Sequence, residues 1–305
     1  MRKALSDSLL RAAQNNPKVI LLTGDHGYAL FDEFRKYFPD QYLNAGIAEQ
    51  NMVGMAAGLA RGGYLPIVYG LSAFIPVRVL EQIKLDVCHD NLPVIFLGDG
   101  AGFVYSSFGT SHQSTEDIAC TRAIPNLNIF SPADRFEMKA VMDLSLDLKL
   151  PSYIRIGKSD VGDVHSAELV PTPASLLKIK DVINSKISII ATGSMVKMAL
   201  NAVNAEIIQA SVWSAPSIKP INVSQVVDLC KGSDLIITME EHSVYGGLGS
   251  VVAEIACEFA PLKVLRIGVK DRFSHYCGTY EYLLKEHNLD LYSITNQINR
   301  FIAVE

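Results

Sequence analysis

Short apolar runs alternate with segments of helical period along most of this chain, and that alternation restricts it to an α/β fold with a mainly parallel sheet. Residues 19–23, 66–69, 93–97, 128–130 and 153–156 read as buried strands. Between them, residues 2–14, 30–37, 77–89 and 134–147 read as helices, together with a helix opening at Glu49. From Asp160 to about Pro173 the period is lost and Gly162, Pro171 and Pro173 accumulate, which predicts a linker. A second alternation starts at Lys186: strands over 187–191, 235–239 and 263–267, and helices over 194–204 and after Gly249. The expectation is two α/β domains, residues 1–160 and a smaller 184–305, joined by a linker over 161–183. In such sheets ligands sit at the carboxyl ends of strands. Gly24-Asp25-His26, Gly70-Leu71-Ser72 and Gly98-Asp99-Gly100 follow candidate strands and are where a site is sought.

The chain has 305 residues, 49% of them hydrophobic, and a mean hydropathy of +0.21. That is apolar for a soluble monomer, and a large buried subunit interface would account for the excess. No run reaches the roughly 18 to 20 apolar residues of a membrane span. Met1-Arg2-Lys3-Ala4 leads into a helical pattern rather than a signal peptide. A net charge of -5 without a basic cluster argues against nucleic acid as partner. The five cysteines are odd in number, far apart and without CxxC spacing, as in the reduced thiols of a cytoplasmic protein.

Glu49 stands at the start of a helix whose Met52, Val53, Met55, Ala56, Leu59 and Ala60 keep an apolar face at helical spacing. Gly54 and Gly58, four apart, would let another backbone come close. A carboxylate in that first turn is favoured by the helix dipole and penalised by burial. Two readings stand: Glu49 caps its own helix or pairs with Arg61, or it shares a proton with a ligand nitrogen.

Gly46-Ile47-Ala48-Glu49-Gln50-Asn51-Met52, with Ala56-Ala57-Gly58-Leu59-Ala60 and Gly63-Tyr64-Leu65-Pro66 after it, resembles the pyrimidine-binding domain of the transketolase family. The resemblance continues through Glu81-Gln82-Ile83-Lys84-Leu85-Asp86, Ser111-His112-Gln113-Ser114-Thr115-Glu116-Asp117 and Glu241-His242-Ser243-Val244-Tyr245-Gly246-Gly247-Leu248-Gly249, and so spans nearly the whole chain. It implies a thiamine-diphosphate-dependent transferase that moves a two-carbon ketol unit between sugars. Glu49 would hold the N1′ nitrogen of the cofactor's aminopyrimidine, Phe74 would stack on that ring, and Asp25 would lie near it. His112 would face the reacting carbon and exchange protons there. His26, Arg78, Phe108 and Lys158 are candidate substrate contacts, Arg78 and Lys158 for an anionic group, although lysine does not replace arginine in bidentate phosphate binding.

The same resemblance implies a split active site. Gly98-Asp99-Gly100 with Asn126 and Asn128 has the form with which thiamine-diphosphate enzymes hold magnesium, but it follows a strand of the pyrimidine-type domain and the match is coincidental. Mg2+ and the diphosphate would be bound mainly by an N-terminal partner subunit, and an α2β2 tetramer would bring together two copies of each chain. Phe108 stands where transketolases carry an acidic residue that reads the donor's hydroxyl, which points to a modified, deoxy or non-phosphorylated sugar or keto acid. A 1-deoxyxylulose-5-phosphate synthase differs by an arginine three rather than four residues after the stacking phenylalanine. A 2-oxoacid dehydrogenase β subunit and a non-catalytic assembly subunit are the remaining alternatives.

Overall fold

The structure, a computed structural model, describes residues 1–170, 172 and 174–303. Pro171 and Pro173, expected in the linker, lie outside the described residues. Twelve strands are described: β1 (Val19–Thr23), β2 (Tyr42–Asn44), β3 (Leu65–Leu71), β4 (Ile95–Asp99), β5 (Asn128–Phe130), β6 (Ser152–Ile156), β7 (Leu177–Lys180), β8 (Ile187–Ala191), β9 (Ser211–Ser214), β10 (Ser217–Lys219), β11 (Leu235–Ser243) and β12 (Lys263–Val269). They form a seven-stranded sheet ordered β10-β5-β6-β4-β3-β1-β2 and a five-stranded sheet ordered β12-β11-β8-β9-β7. Among the described strands, only the edge strands β10 and β7 run antiparallel to their neighbours. This is the α/β architecture that the alternation of elements predicts.

β1, β3, β4 and β6 are buried along their whole length, as strands covered by helices on both faces must be. On one face, the helices Arg2–Asn15 and Arg135–Leu148 close over Leu21, Ile67, Leu97 and Ile154. On the other, the helix Glu49–Arg61 and the segment Ile83–Cys88 cover Val68 and Phe96. That second cluster continues without a break into Ile190, Ile236, Leu248 and Val252 beside the smaller sheet.

Two stretches differ from the sequence reading. Residues 77–89 are not one α-helix: a 3-10 turn Val77–Val79 passes through a single α-turn Leu80–Gln82 into a π-helix Ile83–Cys88. The wider π turn, closed by His89 N–H donating to the Lys84 carbonyl, lets Ile83, Val87 and Cys88 all face the core. In the span read as linker, β7 adds an edge strand to the smaller sheet, while β10, from the second half of the chain, adds one to the larger sheet.

Candidate active site

From β1 the chain passes to β2 on one side and then crosses to β3 on the other, so the strand order reverses between β1 and β3. A crevice opens at the carboxyl ends of strands at such a point. Gly24 follows β1 there, and a Cβ on it would stand 3.3 Å from the Gly46 carbonyl oxygen in the turn leading to Glu49. The first turn of the helix Glu49–Arg61 is thereby set against the crevice.

Glu49 has a side chain only 5% exposed. Arg78 Nη1 donates to its Oε2 at 3.1 Å, and its Oε1 is buried with no hydrogen-bond partner. Neither capping nor the Arg61 pairing holds: Ala48, not Glu49, is the N-cap, and Arg61 pairs with Asp90 at 2.6 Å. Arg61 lies at the far end of a thirteen-residue helix, beyond the reach of its first turn. A buried acceptor left unsatisfied costs about 1–3 kcal/mol. The arrangement is one that an N–H donor from a ligand would complete.

Phe74 follows β3 in a turn closed by its N–H on the Leu71 carbonyl. The Arg78 guanidinium carbon lies 4.0 Å from the Phe74 ring centroid. His112, on the 3-10 turn Thr110–His112, meets Phe74 edge-on at 5.4 Å and Phe108 at 5.2 Å. Its Nδ1 is 3.0 Å from Ser111 Oγ, which leaves Nε2 as the nitrogen able to trade a proton with a ligand. Glu49, Arg78, Phe74, His112 and Phe108 thus form one continuous series of contacts.

The other three candidates stand apart from that series. Asp25 is exposed, in the left-handed region at φ 61°. Its Oδ1 accepts from Tyr28 at 2.7 Å and from Asn44 at 3.2 Å, and those bonds, Tyr28's first, hold its carboxyl below the usual range. His26 is half-buried beside it. Lys158 pairs with Asp160, two residues on, at 3.0 Å and lies over the Tyr280 ring of the smaller domain at 5.3 Å, so neither contact is with Glu49.

Asp99 of Gly98-Asp99-Gly100 is filled by protein donors: Arg2 at 2.7 Å, Tyr69 at 2.8 Å and Tyr105 at 3.0 Å. The glycines of Gly246-Gly247-Leu248-Gly249 serve packing. A Cβ on Gly247 would fall 2.0 Å from Glu240 Oε2, the oxygen that accepts the Leu248 N–H at the start of helix Leu248–Phe259. Glu240 is fully buried, and that burial pushes its carboxyl up to about 7.

Sequence reasoning left one ionic group without a role. Arg155 on β6 donates through Nε to both oxygens of Asp117 at 2.9 and 3.1 Å, and through Nη2 to the carbonyls of Glu241 and Ser114. Tyr153 donates to the same carboxylate at 2.7 Å. This cluster ties the segment after His112 to both sheets. Its one sequence signal is an arginine inside a strand that otherwise reads as buried.

The chain matches the family description "Transketolase, pyrimidine binding domain" over residues 1–163 and "Transketolase, C-terminal domain" over residues 178–294. It is 34% identical to one of the subunits of the apulose-4-phosphate transketolase of Phocaeicola vulgatus, over 99% of this chain and 97% of that one. It is 36% identical to a 1-deoxy-D-xylulose-5-phosphate synthase of Pasteurella multocida, covering 98% of this chain but 48% of that protein. Among solved structures, a split-gene transketolase described as an inactive beta4 tetramer superposes with a TM-score of 0.87 at 34% identity, over 98% of this chain and 96% of that one.

Proposed function

The chain belongs to the transketolase family, and from that premise we propose that it is the C-terminal subunit of a split thiamine-diphosphate-dependent transketolase, completed by a separate chain that binds the diphosphate and Mg2+. The observation that carries the reading is the buried Glu49 carboxylate with one oxygen lacking a donor, joined through Arg78 to the flat face of Phe74. Those residues fit the aminopyrimidine of the cofactor: Glu49 would hold a proton against its ring nitrogen and Phe74 would fix its plane. Thiamine diphosphate, when bound, supplies the electron sink for breaking and making the bond beside a carbonyl. His112 would bind the substrate oxygen and move a proton at Nε2, and Asp25 and His26 would border the site.

The need for a second chain is supported by the surroundings. Ile47, Tyr28 and Phe108 are 78%, 66% and 63% exposed, an apolar rim that another subunit would cover. The solved relative made of β chains alone is described as inactive. We place this chain in an α2β2 tetramer, paired with its own copy through the glycine face of the Glu49 helix. The division into 1–160 and 184–305 belongs to the same proposal, with β10 packed back on the first domain. Among the described residues no helix is long and apolar enough to cross a membrane, in keeping with a cytoplasmic enzyme.

Phe108 in place of an acidic residue favours a modified sugar over ordinary pentose-phosphate exchange, as does the relative named for apulose 4-phosphate. A donor panel including apulose 4-phosphate and xylulose 5-phosphate tests this, and efficient turnover of the latter would sink it. Pyruvate consumption with release of carbon dioxide would instead support the synthase reading. For the assignment of Glu49, Glu49→Gln in the two-subunit enzyme should lower kcat at least a hundredfold with circular dichroism and assembly unchanged. Residual activity within tenfold, about 1.4 kcal/mol in barrier, would overturn it.

A further inference from the structure

We propose that the Arg78 guanidinium is a built-in stand-in for the cofactor's aminopyrimidine: in the free chain it occupies the place between Glu49 and Phe74, and it must swing out before cofactor binds. This rests on the reading of the site given above. Two contacts carry it. Arg78 donates an N–H to the buried carboxylate of Glu49 at 3.1 Å, and it lies over the face of the Phe74 ring at 4.0 Å. A planar group that donates to Glu49 and stacks on Phe74 makes the same pair of contacts expected of the aminopyrimidine. Guanidinium is flat and carries its donors in one plane, which lets a single side chain make both.

The geometry also shows why the stand-in can leave. The Arg78 side chain is 46% exposed, so outward rotation takes little surface out of contact. It reaches only Oε2, and Oε1 keeps no partner. The site in the free chain is held closed but incompletely satisfied. Arg78 keeps the buried carboxylate from standing alone. A ligand that reaches the free oxygen as well gains what the arginine does not provide. Arg78 lies in the 3-10 turn at the head of the irregular Val77–Cys88 segment, not in the interior of a regular helix.

Competition of this kind weakens cofactor binding by the fraction of time the site stands open. The test is calorimetric titration of thiamine diphosphate with Mg2+ into the two-subunit assembly, comparing wild type, Arg78→Ala and Arg78→Lys. Removing the competitor should tighten binding about tenfold or more in Arg78→Ala. Arg78→Lys, which pairs with Glu49 but cannot stack as a plane, should fall between. In the free chain, the Arg78 side-chain N–H resonances should be displaced by the Phe74 ring current and return to solvated positions in Phe74→Ala. An arginine that instead positions Glu49 permanently would give weaker cofactor binding in Arg78→Ala, and that result overturns the proposal. Unchanged cofactor affinity with a raised KM for an anionic donor overturns it too, and makes Arg78 a substrate contact. Failure of the wild-type assembly to bind cofactor at all would instead overturn the functional reading itself.

Discussion

Asp117 and Arg155 are both fully buried, and each carboxylate oxygen of Asp117 accepts from Arg155 Nε. Breaking such a pair from one side leaves an uncompensated charge, which costs about 3–5 kcal/mol. Asp117→Ala should therefore lose that much stability in urea denaturation, whereas Asp117→Ala with Arg155→Met should recover most of it. A single variant as stable as wild type would show that the pair contributes little. The pair illustrates a limit of reading residues one at a time. Glu49 and His112 stand out because each sits in a long motif, and Phe74 because of its spacing after Pro66; Asp117 ends the same motif as His112, yet nothing local names its partner. Asp117 reads as an ordinary acid in the first turn of a short helix, and its partner is 38 residues away on β6. Arg78, singled out from the sequence as an anion contact, faces the protein's own carboxylate, a pairing made by the turn between β3 and the π-helix.

The helix Arg135–Leu148 lies where residues 134–147 read as helical, and the structure adds that Asp134 and Glu137 bracket its first turn as capping residues do. Asp134 accepts the N–H groups of Phe136 and Glu137, and Glu137 Oε2 accepts that of Ala133 at 2.7 Å. What the pattern does not show is that Asp134 also holds the segment after β6, through the N–H groups of Val164 and His165 and the His165 ring. Burial pushes the Glu137 carboxyl up to about 7 from its ordinary 4.5. A raised acid binds its proton more tightly in the native state, so stability falls as pH rises between about 4.5 and 7 and is flat above. His165, also raised, acts in the same direction: burial opposes its charge, but Asp134 and Glu137 outweigh it. Asp134 is held low despite its burial by bonds from His165 and the backbone, so its contribution is lost only in acid. Glu137→Gln should flatten the melting temperature against pH between 5 and 7.5 by the equivalent of about 2 kcal/mol, checked by calorimetry. An unchanged slope would mean that Glu137 is ionised in the fold without cost.

Two sheets of seven and five strands share one apolar cluster, so the two halves of the chain fold against each other. The face left over is informative: a Cβ on Gly54 or Gly58 would meet nothing within 4 Å in this chain. Glycine inside a helix costs roughly 0.5–1 kcal/mol relative to alanine. Gly54→Ala with Gly58→Ala should therefore raise the melting temperature of the dilute free chain while weakening self-association at least tenfold by sedimentation equilibrium. Unchanged association would move the dimer contact elsewhere. The sequence by itself determined the α/β class and the order of most elements, because period and motif are local properties of a chain. Only the tertiary structure decided that Glu49 faces Arg78 and not Arg61, that residues 77–89 take a π turn, and that β10 crosses back to the first sheet. Those outcomes depend on which groups are left buried together once the sheets have packed, and no local pattern carries that information.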